Sequence, residues 1–152
     1  MAADERPIVF TAQSKRYFYC REAVAEFTFS KGAIPVNPFL AFGFFLGERV
    51  RRELVRDANN ALLLRSDELW VFGRDLANGV LREISLAANA GKPIRFFTVE
   101  EKPELIQELH VDALRFEEEV RTKSRESSAR LLEDLRSVLP ASVIEEALSL
   151  DL

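Results

Sequence analysis

Residues 69–99 read LWVFGRDLANGVLREISLAANAGKPIRFFTV, and this stretch decides the fold. It begins with an apolar run over residues 69–72 that a glycine follows, and it ends with a second apolar run over residues 93–99. Between the two runs, residues 79–90 carry apolar side chains at helical spacing. A strand, a helix and a second strand in this order predict a βαβ unit, in which a right-handed crossover joins two parallel strands.

The same alternation is found before this stretch. Residues 8–12 form an apolar, β-branched run that is typical of a buried strand, and residues 21–31 place apolar residues at helical spacing. Residues 33–38 predict a short strand near an edge because Pro35 cannot donate to a ladder, and residues 48–65 predict a long amphipathic helix. We therefore expect an α/β protein with an open parallel sheet and helices on both faces, of the Rossmann or flavodoxin type.

The C-terminal third of the chain has a different pattern. Residues 103–110, 112–138 and 141–150 each look helical, and no strand is predicted among them. We therefore expect an α/β domain over residues 1–102. A helical extension over residues 103–152 is expected to pack on this domain or on a neighbouring subunit.

The composition of the chain argues against two classes of binding partner. With 152 residues, 47% of them hydrophobic and 30% charged, the chain is long and apolar enough to bury a core as one globular unit. The formal net charge of −4 gives no general attraction to nucleic acid or to an anionic membrane surface. The longest apolar stretches fall well short of the roughly 18 residues that a membrane span needs. The sequence therefore predicts neither a nucleic-acid partner nor a membrane partner.

Cysteine and histidine are each present once. Cys20 has no second cysteine for an intramolecular disulfide, and Asp4 and Glu5 interrupt the apolar segment that a signal peptide requires. A reducing cytoplasm is the expected compartment. His110 has no cysteine or histidine partner at metal-ligand spacing, so neither a metal site nor a cofactor is predicted.

Polar side chains follow three of the predicted strands. Ligands of an open parallel sheet bind beyond the carboxyl ends of the strands, where the strand order reverses. The binding candidates at these ends are Gln13, Ser14, Lys15, Asn37, Asp75, Asn78 and Gly79. Glu83 lies just inside the helix that Asn78 and Gly79 begin. We expect the positive end of the helix dipole to keep Glu83 ionised, which suits a nucleophile or a charge stabiliser better than a general acid.

Several of these residues also form a pattern known from other proteins. Residues 67–73, 79–84 and 90–94 combine an aspartate that opens a strand, Gly-x-x-x-Glu at the start of a helix, and Gly-Lys-Pro before the next strand. Over residues 8–99 the chain resembles the nucleoside 2-deoxyribosyltransferase superfamily, which includes nucleoside monophosphate N-glycosidases. In that family the helix glutamate attacks the anomeric carbon of a nucleoside and the base leaves.

The resemblance implies a reaction and roles for two carboxylates. Glu83 matches the attacking glutamate, and Asp67 matches a residue that binds near the sugar and the base. The expected function is cleavage, by hydrolysis or transfer, of the N-glycosidic bond of a nucleoside or nucleoside 5′-monophosphate. Its oxocarbenium-like transition state needs a carboxylate on one face and a proton donor for the leaving group.

Two alternatives stay open at this point. The same fold can serve as a nucleotide-binding or sensing module that does no chemistry, and the chain can be a largely structural assembly subunit. A segment rich in phenylalanine, residues 39–45, is suited to subunit contact or to closure over a ligand. Enzymes of the family that the chain resembles usually assemble as oligomers in which a neighbouring subunit completes each site. We therefore expect a homo-oligomer.

Overall fold

The computed structural model describes residues 3–43 and 46–123 of the chain. In chain order the strands and helices are β1 (Ile8–Gln13), α1 (Arg21–Ser30), β2 (Ile34–Val36), α2 (Pro38–Phe42), α3 (Leu46–Arg49), α4 (Arg52–Leu64), β3 (Glu68–Phe72), β4 (Asp75–Leu76), α5 (Asn78–Asn89), β5 (Ile94–Phe97), β6 (Glu108–Leu109), β7 (Arg115–Phe116) and α6 (Glu118–Lys123). Three 3₁₀ turns lie at Lys15–Cys20, Pro103–Leu105 and Val111–Ala113.

The main sheet has five strands in the order β2-β1-β3-β5-β6. The first four are parallel, and β6 runs antiparallel to β5. The chain passes from β1 to β2 on one side and then crosses to β3 on the other side, so the strand order reverses between β1 and β3. This confirms the predicted α/β fold and puts the switch point at the carboxyl ends of β1 and β3.

Alternate residues of the strands face two separate apolar layers. Phe10 and Val71 pack with Ile84 in the layer covered by α4 and α5. Trp70 and Phe72 pack with Phe27 and Phe97 in the layer covered by α1. The strands are therefore buried on both faces, which explains why β1 and β3 read as continuous apolar runs and do not alternate with polar residues.

The segment after β5 differs from the helical extension predicted for it. Pro103–Leu105 is a single 3₁₀ turn, β6 pairs with β5 in the main sheet, and β7 pairs in parallel with β4. The main sheet thus continues past the boundary expected at residue 102, and the segment after β6 adds to the core because Leu114 and Phe116 bury their side chains. Helix begins only at Glu118, and the rest of the predicted extension, residues 124–152, lies outside the described residues.

The helices of the fold are short. The longest that the structure describes, α4 and α5, have 13 and 12 residues. None of the described helices has the length and apolar character needed to cross a membrane.

Candidate functional site

A broad, open cleft of about 1410 Å³ lies above the switch point. Its walls come from four parts of the chain: the loop after β1, the beginning of α2, one face of α4, and the beginning of α5. Of the predicted site residues, the cleft brings together Gln13, Ser14, Lys15, Asn78, Gly79 and Glu83. The cleft therefore lies at the point where the strand order reverses, which is where ligands of open parallel sheets bind.

Glu83 is the sixth residue of α5, and its carboxyl group is enclosed. The residue as a whole is half-buried, but its Oε2 atom is shielded from solvent and has no hydrogen-bond partner among the described residues. Burial raises the pKa of Glu83 from 4.5 to about 8. At neutral pH this carboxyl group is therefore protonated.

The raised pKa of Glu83 contradicts the expectation that its carboxyl group is ionised. A helix N-terminus favours a nearby carboxylate by only about 0.3–1 kcal/mol, and the effect fades within the first turn. Glu83 lies beyond that turn, whereas the loss of solvent around its carboxyl group disfavours the charge by a few kcal/mol. Desolvation outweighs the dipole, so Glu83 suits a proton donor.

Two further enclosed oxygen atoms belong to residues that line the same cleft. Thr11 Oγ1 and Asn59 Oδ1 have no hydrogen-bond partner within the described part of the chain. Buried polar atoms are nearly always paired, so unpaired ones at a cleft indicate a surface adapted to polar groups. Sequence reasoning missed both residues. The available signals were a hydroxyl inside the apolar run of β1 and an amide among the alanines and leucines of α4.

Gln13 and Asn37 hold two cleft loops together. The Asn37 Nδ2 atom donates to Gln13 Oε1 over 2.9 Å, and Gln13 Nε2 donates to the backbone oxygen of Tyr17 over 2.6 Å. Asn37 Oδ1 in turn accepts from the backbone nitrogens of Phe39 and Leu40 and so caps α2. Asn37 does not itself line the cleft, so its role here is to brace the wall that Gln13 forms.

Ser14 connects the loop after β1 to the end of the described chain. Its Oγ atom donates to Glu117 Oε2 over 2.8 Å, and both residues are buried. Glu117 also lines the cleft, which makes it a second enclosed carboxylate at this site. The sequence pattern gave no reason to single out Glu117, because it lies 34 positions after Glu83 in a segment expected to be one helix.

The mouth of the cleft carries exposed cationic side chains. Lys15 and Arg16 follow β1, while Arg52 and Arg56 lie one turn apart on α4. None of the four forms an ion pair with another described residue. An anionic ligand entering the cleft would therefore meet unpaired positive charge.

Two predicted residues lie elsewhere. Asp67 comes just before β3, at the edge of the sheet where parallel strands begin, and its Oδ2 atom accepts from the Ile8 backbone nitrogen over 2.7 Å. The prediction that Asp67 faces the same cavity as Glu83 is wrong, because the two residues lie at opposite ends of β3. Asp75 pairs with Arg115, with 3.2 Å between Oδ1 and Nε, and does not line the cleft.

The start of α5 is accessible to a ligand. A methyl group built on Gly79 would have no neighbour within 4 Å. Ala77, which precedes the helix, provides no side-chain cap for the first backbone N–H groups. The described residues contain no cluster of three or more His, Cys, Asp or Glu side chains arranged to hold a metal ion. The arrangement can thus donate a proton from Glu83 and receive an anionic group nearby.

The comparisons with other proteins show the family to which the chain belongs, but they give no activity. A comparison with curated proteins found no match for this chain. Residues 10–97 match the model of a family described as a domain of unknown function, DUF7768. The matched residues run from β1 to the end of β5 and include Glu83. Because the match covers more than half of the 152 residues, the chain belongs to this family.

Proposed function

We propose that the cleft binds a nucleoside or nucleoside 5′-monophosphate and that the protein breaks its N-glycosidic bond with Glu83. The observation that carries this proposal is a carboxyl oxygen of Glu83 that is enclosed, has no hydrogen-bond partner among the described residues, and lies in a cleft at the switch point of the sheet. The resemblance to the nucleoside 2-deoxyribosyltransferase superfamily supplies the chemistry, because Glu83 matches the reacting glutamate of that family.

The raised pKa favours one role for Glu83 over another. Departure of a base from the anomeric carbon leaves an electron pair on a ring nitrogen, which a proton from a general acid neutralises. A carboxyl group with a pKa of about 8 holds that proton at neutral pH. Attack by Glu83 as a nucleophile, the role that the resemblance implies, requires the ionised form. We therefore propose proton donation as the role of Glu83.

The cationic rim supports a phosphorylated ligand. Lys15, Arg16, Arg52 and Arg56 have no acidic partner among the described residues, and guanidinium groups bind phosphate through paired hydrogen bonds. A 5′-phosphate held at this rim would leave the sugar and its base deeper in the cleft. The nucleoside 5′-monophosphate is therefore the preferred substrate of the two.

A specific observation also favours a nucleotide-binding module without activity. Asp67, the second predicted catalytic carboxylate, and Asp75, a predicted binding residue, are both engaged outside the cleft. If no other group activates the attacking water, the cleft would bind a nucleotide and leave it intact.

One assay separates the two functions. The protein is incubated with a panel of ribo- and deoxyribonucleoside 5′-monophosphates, and free base is measured by liquid chromatography. Saturable binding is measured in parallel by calorimetry. Released base supports the enzyme, and binding without release supports the binding module. Neither release nor binding across the panel would contradict both functions.

A further inference from the structure

We infer that Glu117 is the second carboxylate of the proposed reaction and that it accepts a proton from the water that attacks the anomeric carbon. The inference rests on the proposed function and deepens it, because it names the group that activates the attacking water. Glu117 lies outside the segment that matches the family model.

The pairing of β4 with β7 brings Glu117 to the helix that carries Glu83. Leu76 is opposite Phe116, and the backbone nitrogen of Glu117 donates to the Leu76 oxygen over 3.0 Å. Leu76 ends β4, and α5 begins two residues later at Asn78. Glu117 is thus fixed by backbone bonds beside the start of α5, and both glutamates line the cleft.

The side chain of Glu117 is held in a defined position. It is 9% exposed, and its Oε2 atom accepts the hydrogen bond from Ser14 Oγ. Glu119 lines the same cleft but is exposed, so it lacks the enclosure of Glu117. The fully buried Thr11, whose Oγ1 atom has no hydrogen-bond partner in the described part of the chain, provides an independent sign that polar groups bind here.

The two carboxyl groups have contrasting surroundings. Glu83 Oε2 has no hydrogen-bond partner among the described residues, whereas Glu117 Oε2 accepts a hydrogen bond from Ser14 Oγ. Hydrolysis of a glycosidic bond with inversion uses two carboxyl groups, one that protonates the leaving group and one that activates water. Because Glu83 takes the acid role, the enclosed Glu117, which lines the same cleft, is assigned the base role.

The step balances with water as the only co-reactant. Glu117 takes a proton from water, and the water oxygen forms a bond to the anomeric carbon on the face opposite the base. The bond from the anomeric carbon to the base nitrogen breaks, its electron pair stays on that nitrogen, and Glu83 supplies the proton that neutralises it. Exchange with solvent then returns a proton to Glu83 and removes one from Glu117. The attack inverts the configuration at the anomeric carbon.

Glu117→Gln tests the assignment, because glutamine can still accept from Ser14. We expect at least about a hundredfold fall in base release from a nucleoside 5′-monophosphate, with nucleotide affinity and melting temperature close to wild type. Glu118→Gln is the matched control, because Glu118 is an exposed neighbour that does not line the cleft. Release by Glu117→Gln at the wild-type rate would overturn the assignment and leave the proposed function standing. A wild type that releases no base overturns both.

Two further measurements distinguish a catalytic role of Glu117 from a merely structural one. Sodium azide, a nucleophile that needs no base, should restore product formation, as glycosyl azide, in Glu117→Ala but not in Glu83→Gln. With methanol as acceptor, wild type should give the α-methyl glycoside from a β-nucleotide. A β-methyl glycoside, or an inactive Glu117→Ala that azide does not restore, would overturn the assignment.

Discussion

Glu83 is expected to make the stability of the fold depend on pH. Its pKa is 4.5 in an exposed chain and about 8 in the fold, so between these values the folded state holds a proton that the unfolded state has lost. Stability from this group is therefore fully present below pH 4.5 and decreases as the pH rises to about 8. Glu83→Gln, which keeps the shape and cannot ionise, should remove this loss.

Urea unfolding from pH 5 to pH 9 checks this prediction. At pH 5 the two proteins should have similar free energies of unfolding. At pH 9 the glutamine variant should be more stable by a few kcal/mol. Parallel stability curves across the range would show that the Glu83 carboxyl group is solvated in the folded protein.

At the scale of residues, the sequence pattern predicted some of the residues that line the cleft. Gln13, Ser14 and Glu83 could be predicted because the carboxyl ends of parallel strands share one edge. The position of Asp67 was predicted wrongly, because a residue just before a parallel strand lies at the sheet edge opposite the cleft. Glu117 could not be found, since only the β4–β7 pairing brings it to the cleft.

The beginning of α5 gives a prediction at the scale of elements. Gly79→Ala adds a methyl group where nothing lies within 4 Å, so folding should be unchanged or slightly favoured by the better helix propensity of alanine. If a nucleotide approaches this backbone, the methyl group should weaken binding by at least about tenfold, or 1.4 kcal/mol. Calorimetry and thermal melting measure the two effects. Unchanged affinity would place the ligand away from the start of α5.

The cationic face of α4 gives a second prediction at this scale. Arg52→Gln and Arg56→Gln should each weaken nucleoside 5′-monophosphate binding by about 1.5–3 kcal/mol, the range for hydrogen bonds to charged groups. Neither change should affect binding of the free nucleoside. Arg51→Gln is the matched control, because Arg51 precedes the same helix but faces Glu53 and does not line the cleft. Calorimetry that found equal losses for nucleoside and nucleotide would contradict a phosphate site on α4.

The periodicity of apolar residues predicted the long helices better than the short strands. The helix expected at 79–90 is found at Asn78–Asn89, and the one expected at 48–65 is interrupted at Arg51, where the backbone is extended. Strands β4, β6 and β7 have two residues each, which is too short to give a periodic signal. Their pairing depends on contacts between distant parts of the chain and could not be predicted from the local sequence.

The surface around α1 gives a prediction for the whole molecule. Tyr19 is 60% exposed, Phe29 56% and Leu105 55%, and the turn that contains Leu105 packs against α1. The three side chains belong to α1 or to segments next to it, and exposed apolar surface of this kind is typical of a protein interface. We therefore propose a homo-oligomer that buries this surface. Light scattering at micromolar concentration should give a dimer or larger, and Phe29→Asp should reduce the mass to a monomer. A monomeric wild type would contradict the proposal.

Release of free base by Glu83→Gln is the most direct test of the proposal that this fold breaks an N-glycosidic bond with Glu83. The substrate is the nucleoside 5′-monophosphate that wild type cleaves fastest, and Glu26→Gln, an exposed change on α1, is the control. We expect a fall of at least about a hundredfold for Glu83→Gln, retained nucleotide affinity, and a wild-type rate for Glu26→Gln. Base release by Glu83→Gln at the wild-type rate would contradict the proposal.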